Sequence, residues 1–257
     1  MKAGQSLWTR EQLILAINLY SKIRFGQMHA SNKDVQELAA IMGRTPSAVA
    51  RKLGNFASFD PTLQARGIKG LENTSKLDKQ IWREYMDNWD EQFIESEKLL
   101  AQKKHTSLES LNPLDLDEPK DMFGREATRK VLMRLDQTAF RRMVLSNFDD
   151  CCCITGINQP ELLIASHILP WSKDAGNRLN PRNGLALNAL HDKAFERGLV
   201  TITTDLKIKI SPLLLKDKSI PGIQSNFEAY DGRDLIEPKK FFPDVEFLKV
   251  HNERFRS

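Results

Sequence analysis

The sequence has no apolar run that approaches the length of a bilayer crossing, so no membrane partner is expected. Its opening residues, MKAGQSLWTREQ, lack the apolar core of a secretory signal before charges resume. Cysteine is scarce. The three present, Cys151-Cys152-Cys153, are adjacent and cannot build a disulfide framework. Three neighbours cannot all turn toward one tetrahedral ion, and no second cysteine cluster exists to complete a pair, so no structural zinc is expected. These absences suit a reducing cytoplasm. Internal repeats and low-complexity tracts are also missing. Charge of one sign is barely in excess: the net charge is +4, with a pI near 8.9, a mild bias toward polyanionic partners.

What is present is globular. The 257 residues are 40% hydrophobic and 28% charged, which suits one large domain or two smaller ones. The first hundred residues read as helical. Thr9-Arg-Glu-Gln12 has the form of a capping box, followed by Leu13, Ala16, Ile17 and Tyr20 at helical spacing. A second helix is expected from near Ser31, carrying Val35, Leu38 and Ala39 up to Gly43. Thr45-Pro46 restarts the chain as N-cap and first helical residue. A single helix from about Ser75 to Lys103 would carry Ile81, Trp82, Tyr85, Met86, Trp89 and Phe93 as a core stripe.

The run Val35 to Leu53 resembles a helix-turn-helix, with Gly43 at the turn and Val49 packing the second helix. On that reading Arg44, Thr45, Ser47, Arg51 and Lys52 are candidates for DNA contact, with Arg51 and Lys52 on phosphates. A plain helical bundle with a glycine turn has the same pattern. From His105 to Gly124 periodicity weakens and a linker is expected. It resumes over 125–148, where Leu132, Leu135, Ala139 and Met143 mark one face.

The stretch ELLIASHILPW, residues 161–171, reads as a strand that ends in Ser166-His167 and turns at Pro170. A buried imidazole needs partners for both ring nitrogens, so a strand-end histidine is either a packed core residue or a chemical tool. Lys173 to Asn183 is rich in Gly, Asn, Asp and Pro and should be a loop. Gly184 to Leu187 suits a returning strand. Asn188 is then a natural N-cap, Ala189 to Arg197 a short helix, and Gly198 its stop. The unit is strand, loop, strand, helix, with one histidine on the first strand and another, His191, in the helix's first turn.

This order resembles the HNH nucleases, whose ββα-metal motif is named for His, Asn and His, and within them a branch found among bacterial restriction endonucleases. The resemblance covers about residues 125–257. It is carried by Cys152-Cys-Ile-Thr-Gly156, Ser166-His-Ile-Leu-Pro-Trp171, Asn183-Gly-Leu-Ala-Leu187, and His191 with Phe195 and Gly198. Joined to the pattern reading of the first half, it gives an expected α+β chain: a helical, helix-turn-helix-like recognition domain over 1–104, a linker over 105–124, and the nuclease domain over 125–257. It also implies hydrolysis of phosphodiester bonds to 5′-phosphate and 3′-hydroxyl ends. His167 would be the general base, Asn183 the brace of the loop, and His191 a ligand of one divalent cation, Mg²⁺ or Mn²⁺.

Many HNH nucleases have an acidic residue or a second histidine just before the base. Here that place holds Ser166, a poor neutral ligand whose hydroxyl would join His191, water and substrate in holding the metal. Asp192 and Glu196 are close in sequence but point differently on the helix. Arg178 and Arg182, in the loop before Asn183, are further candidates for DNA contact. His29, His105 and His251 have no suggestive company and are expected at the surface. Downstream, residues 198–202 and 207–210 suit a hairpin, and PDVEFLKVHNERF resembles the family's closing helix.

The functional expectation is a bacterial, cytoplasmic, metal-dependent endonuclease of double-stranded DNA, of restriction or defence type. It is expected as a homodimer at least on DNA, because duplex cleavage by a one-site nuclease needs two sites or two visits. Two other functions fit the same residues: a DNA-binding regulator with an inactive HNH domain, and a nuclease of RNA or branched DNA.

Overall fold

The computed structural model describes residues 6–112, 133, 135–170, 176–217 and 219–256. The chain divides into two compact units, Met1–Ala139 and Phe140–Ser257. The first is helical and the second mixes short helices with two antiparallel hairpins, an α+β architecture.

In the first unit the helices are α1 (Arg10–Lys22), α2 (Lys33–Ile41), α3 (Pro46–Ala57), α4 (Pro61–Ala65), α5 (Lys76–Asp87), α6 (Trp89–Lys103) and α7 (Leu108–Leu111). Local chemistry starts most of them. Thr9 and Gln12 form a reciprocal capping box on α1. Asn32, one residue after the expected start, caps α2 by accepting from Asp34 N and Val35 N. Gly43 turns the chain at a φ of 62°, which favours glycine, and Thr45 with Pro46 opens α3. The core joins Tyr20, Phe56 and Trp82, whose rings meet at 5.8–6.4 Å. The Tyr20 hydroxyl donates to Asp60 at 2.9 Å, and burial first, then that carboxylate, pushes the phenol up.

The long helix expected over 75–103 is broken. Asn88 leaves helical space at φ −137°, ψ 59° and divides it into α5 and α6. The break sets Tyr85 edge-on to Trp89 at 5.3 Å, with both side chains buried. Packing against α1 thus overrides the continuous periodicity. On the α1 side, Glu97 is held by Lys22, by Asn18 at 2.7 Å and by Asn112 at 3.1 Å. Burial works against its charge, but Lys22 and the two amides outweigh it and hold the carboxyl below the usual range.

In the second unit, α8 (Arg141–Asn147) precedes a hairpin of β1 (Leu163–His167) and β2 (Gly184–Asn188). Then come α9 (Ala189–Glu196), a hairpin of β3 (Val200–Ile202) and β4 (Ile208–Ile210), α10 (Pro221–Asn226) and α11 (Val245–Asn252). β1 starts one residue later than expected, because Leu162 closes a 3₁₀ turn after Pro160. The register pairs His167 with Gly184 and Leu163 with Asn188. Every residue of β2 is buried, and α8 and α9 each pack against both strands. Of the 125–148 face, Leu135, Ala139 and Met143 are buried, and Leu132 lies outside the described residues. Cys152 and Cys153 are fully buried, and Cys153 N donates to Ala186 O at 2.7 Å. Burial pushes the Cys153 thiol up, so it packs as a small apolar group.

Gly184 is where α8 meets the hairpin. A Cβ there would lie 2.3 Å from Val144 Cγ2 and 2.9 Å from Phe140 Cζ. Gly184→Ala is therefore expected to cost about 1–3 kcal/mol by overpacking, read as a lower urea midpoint at unchanged slope.

His251 is a correction to the expected surface residue. It is 1% exposed and stacks on Phe195 at 3.6 Å. Phe195 O accepts from Nε2 at 3.1 Å, and the Thr201 hydroxyl meets Nδ1 at 2.9 Å. Burial, with Arg254 nearby, pushes the imidazole from 6.5 down to about 4. The unfolded chain then binds a proton the folded one refuses. This contribution to stability is complete above about pH 6.5 and lost as pH falls toward 4, about 3 kcal/mol in all. Urea titrations across that range should show the loss, and His251→Gln should flatten it.

Candidate active site

β1 delivers His167 to the edge of the loop that β2 closes. Its ring is half-buried and lies flat on Phe140, at 3.9 Å between centroids and 6° between planes. Nε2 is 2.8 Å from the carbonyl oxygen of Arg178. A carbonyl only accepts, so in the neutral ring Nε2 carries the hydrogen and Nδ1 carries the lone pair. The stack fixes the plane of the ring and the carbonyl fixes its tautomer. A side chain held this way is oriented to take a proton at a defined atom.

Asn183 lies at the end of the loop and is 1% exposed. Its Oδ1 accepts from Leu169 N at 2.8 Å, and its Nδ2 donates to Asn177 O at 3.0 Å. The main chain adds a bond from Ile168 N to Asn183 O at 2.9 Å. One amide therefore ties the residues just after His167 to the loop that supplies the Arg178 carbonyl.

His191 sits at the third position of α9, behind its cap Asn188, and is fully buried. Nε2 lies 2.7 Å from Asn226 O, and Nδ1 lies 3.0 Å from Asn188 Oδ1, which also accepts from His191 N. Phe227 and Tyr230 flank the ring. Burial pushes its pKa down, so it is neutral near pH 7 with one hydrogen between two oxygens. Neither nitrogen is open to an ion from solvent.

The other expected ligand, Ser166, has a buried side chain and no charge. Among the described residues no group of three His, Cys, Asp or Glu side chains is placed to hold a metal. As arranged here His191 turns both nitrogens to protein oxygens and Ser166 brings no charge, a weak pair of donors for a divalent ion. Asp192 is half-exposed and makes no hydrogen bond or ion pair among the described residues, whereas Glu196 pairs with Lys193 at 2.6 Å.

The expected DNA contacts separate into two kinds. In the first unit, Lys52 is a correction: it is 6% exposed and its ammonium is committed to both Asp78 oxygens, at 2.8 and 2.9 Å. Arg44 is also committed to the fold. Its guanidinium holds Ser6 O, Leu7 O and Gln12 Oε1 and lies 4.6 Å over Trp8. Ser47 and Arg51 are exposed on α3, four residues apart on one face. Arg51 borders a hollow of about 1030 Å³ whose lining includes Trp8, Asn55, Leu71 and Lys76. In the second unit, Arg182 pairs with Asp244 at 2.9 Å, the cap of α11, and keeps about two-fifths of its side chain exposed. Arg178 serves His167 through its carbonyl.

Sequence reasoning missed Phe140, Asn188 and Asn226 as partners of the two histidines. Phe140 reads as one more apolar helical position, and Asn226 acts through a backbone oxygen that no residue type signals.

Residues 152–203 match the model of a family described as HNH endonuclease. No curated protein matches the chain.

Proposed function

We propose that the HNH endonuclease domain at residues 152–203 makes this chain a nuclease that hydrolyses phosphodiester bonds in double-stranded DNA, leaving 5′-phosphate and 3′-hydroxyl ends. The carrying observation is the posture of His167, with Nε2 on Arg178 O and the ring flat on Phe140, which makes Nδ1 the basic nitrogen of the neutral ring. In this reading His167 takes the proton of the attacking water, and Asn183 keeps strand end and loop in register for it. HNH endonucleases generally use a divalent metal, and Mg²⁺ or Mn²⁺ would polarise the phosphate when bound. The first unit would bring duplex DNA to the site through Ser47 and Arg51, with Arg178 and Arg182 contacting backbone nearer the cut. A restriction or defence role and a homodimer on DNA complete the proposal. No helix among the described residues is long and apolar enough to cross a membrane.

A second reading draws on His191, whose nitrogens both face protein oxygens: a DNA-binding regulator whose HNH domain no longer cuts. One experiment separates the two. Supercoiled plasmid is incubated with the full chain and Mg²⁺ or Mn²⁺, with EDTA and His167→Ala controls, and the ends are mapped. Cleavage lost in both controls supports the nuclease. Binding without cleavage in any sample supports the regulator, and cutting confined to single-stranded RNA or branched DNA replaces the substrate.

A further inference from the structure

Gly198 ends α9 at a φ of 68°, and a Cβ there would lie 2.2 Å from Arg254 O. The chain's last described residues therefore lie directly on this turn. Arg256 N donates to Gly198 O at 2.9 Å, and the Ser211 hydroxyl donates to Arg256 O. Behind them, Lys209 lies 4.9 Å from the Phe255 ring. This docking gathers Arg197, Arg254 and Arg256 around a hollow of about 450 Å³ whose one acidic lining residue is Glu196.

Glu196 is already held by Lys193. Among the described residues no carboxylate pairs with Arg197, Arg254 or Arg256. Cations near a helix C-terminus are favoured by its exposed carbonyls, and Arg254 does that work by donating to Glu196 O at 2.9 Å. Arg197 and Arg256 are left over. The Glu196 carboxylate acts on Arg197 and Arg254 from nearby, but it is shared with Lys193 and leaves the three guanidiniums in excess, and guanidinium forks match the oxygens of phosphate in particular.

We infer that this hollow is a clamp for a backbone phosphate of nucleic acid, contributing affinity and register apart from the chemistry at His167. The inference rests on the nuclease reading for its ligand. Outside that reading, the same chemistry would serve a free phosphate.

The test uses the full chain carrying Arg197→Ala and Arg256→Ala, with Arg254 kept because it caps α9. Binding of a labelled duplex is followed by fluorescence anisotropy in EDTA at several salt concentrations. The clamp predicts affinity weakened by about tenfold or more at low salt, and a slope of log K against log salt shallower by roughly 2. The thermal midpoint should not move. An unchanged slope in a variant of a duplex-binding wild type overturns the clamp and leaves the nuclease reading standing. A wild type that binds no duplex overturns the reading of double-stranded DNA as the substrate. If inorganic phosphate then stabilises the wild type but not the variant, the hollow takes a free anion and the nucleic-acid clamp is wrong.

Discussion

Replacing His167 by alanine is expected to slow strand cleavage by roughly a hundred- to ten-thousand-fold, the usual worth of a positioned general base. Duplex affinity should stay close to that of the wild type, because a half-buried neutral imidazole brings no fixed positive charge to a phosphate. The fold should also survive. His167 is half-buried at a strand end, and the β1–β2 ladder is made by backbone groups that the substitution leaves intact. Loss of rate with retained binding is the signature of a group that acts in the transition state. Asn183→Ala should differ: it strands Leu169 N and Asn177 O, so lost activity would come with a lower melting temperature. Equal cleavage by wild type and His167→Ala would remove the base from the account.

The second large effect falls in the first unit. Lys52→Met is expected to destabilise it by about 3–5 kcal/mol, because Asp78 is then left charged in the core. Asp78 is fully buried, and one of its oxygens also accepts from Ser75 N in the capping box of α5. Hydrogen exchange on α3 and α5 would read the loss directly, and Lys52→Met with Asp78→Leu should recover part of it. Arg51→Ala, one residue earlier but exposed, should leave stability within about 0.5 kcal/mol. Its cost should appear in duplex affinity instead. If Lys52→Met kept full stability and lost only DNA binding, the ion pair would not be the role of this lysine.

The contrast between Arg51 and Lys52 shows what local sequence carries and what it does not. Caps and stops are local, so Thr9, Thr45-Pro46, Asn188 and Gly198 were legible from residues within a turn of each. So was the strand, loop, strand, helix order around His167, since alternation, turn residues and an N-cap follow one another directly. Lys52 was misread because Asp78 lies 26 residues away. Arg44 was misread because its acceptors, Ser6 O, Leu7 O and Gln12 Oε1, lie 32 to 38 residues back along the chain. Asn88 broke a helix whose apolar stripe runs through it, because packing against α1 sets the angle there. His191 looked available only while Asn226, 35 residues on, was out of view. Long-range partners decide burial, and burial decides which polar residues stay free for chemistry.

The central claim is that Nδ1 of His167 accepts the proton of the attacking water. The most direct test is chemical rescue: single-turnover cleavage of an end-labelled duplex by the His167→Ala chain, with imidazole added in steps. The account predicts a rate that climbs with imidazole concentration, with cut positions and end groups identical to those of the wild type. Wild-type cleavage that His167→Ala cannot reproduce and imidazole leaves unrestored would contradict it.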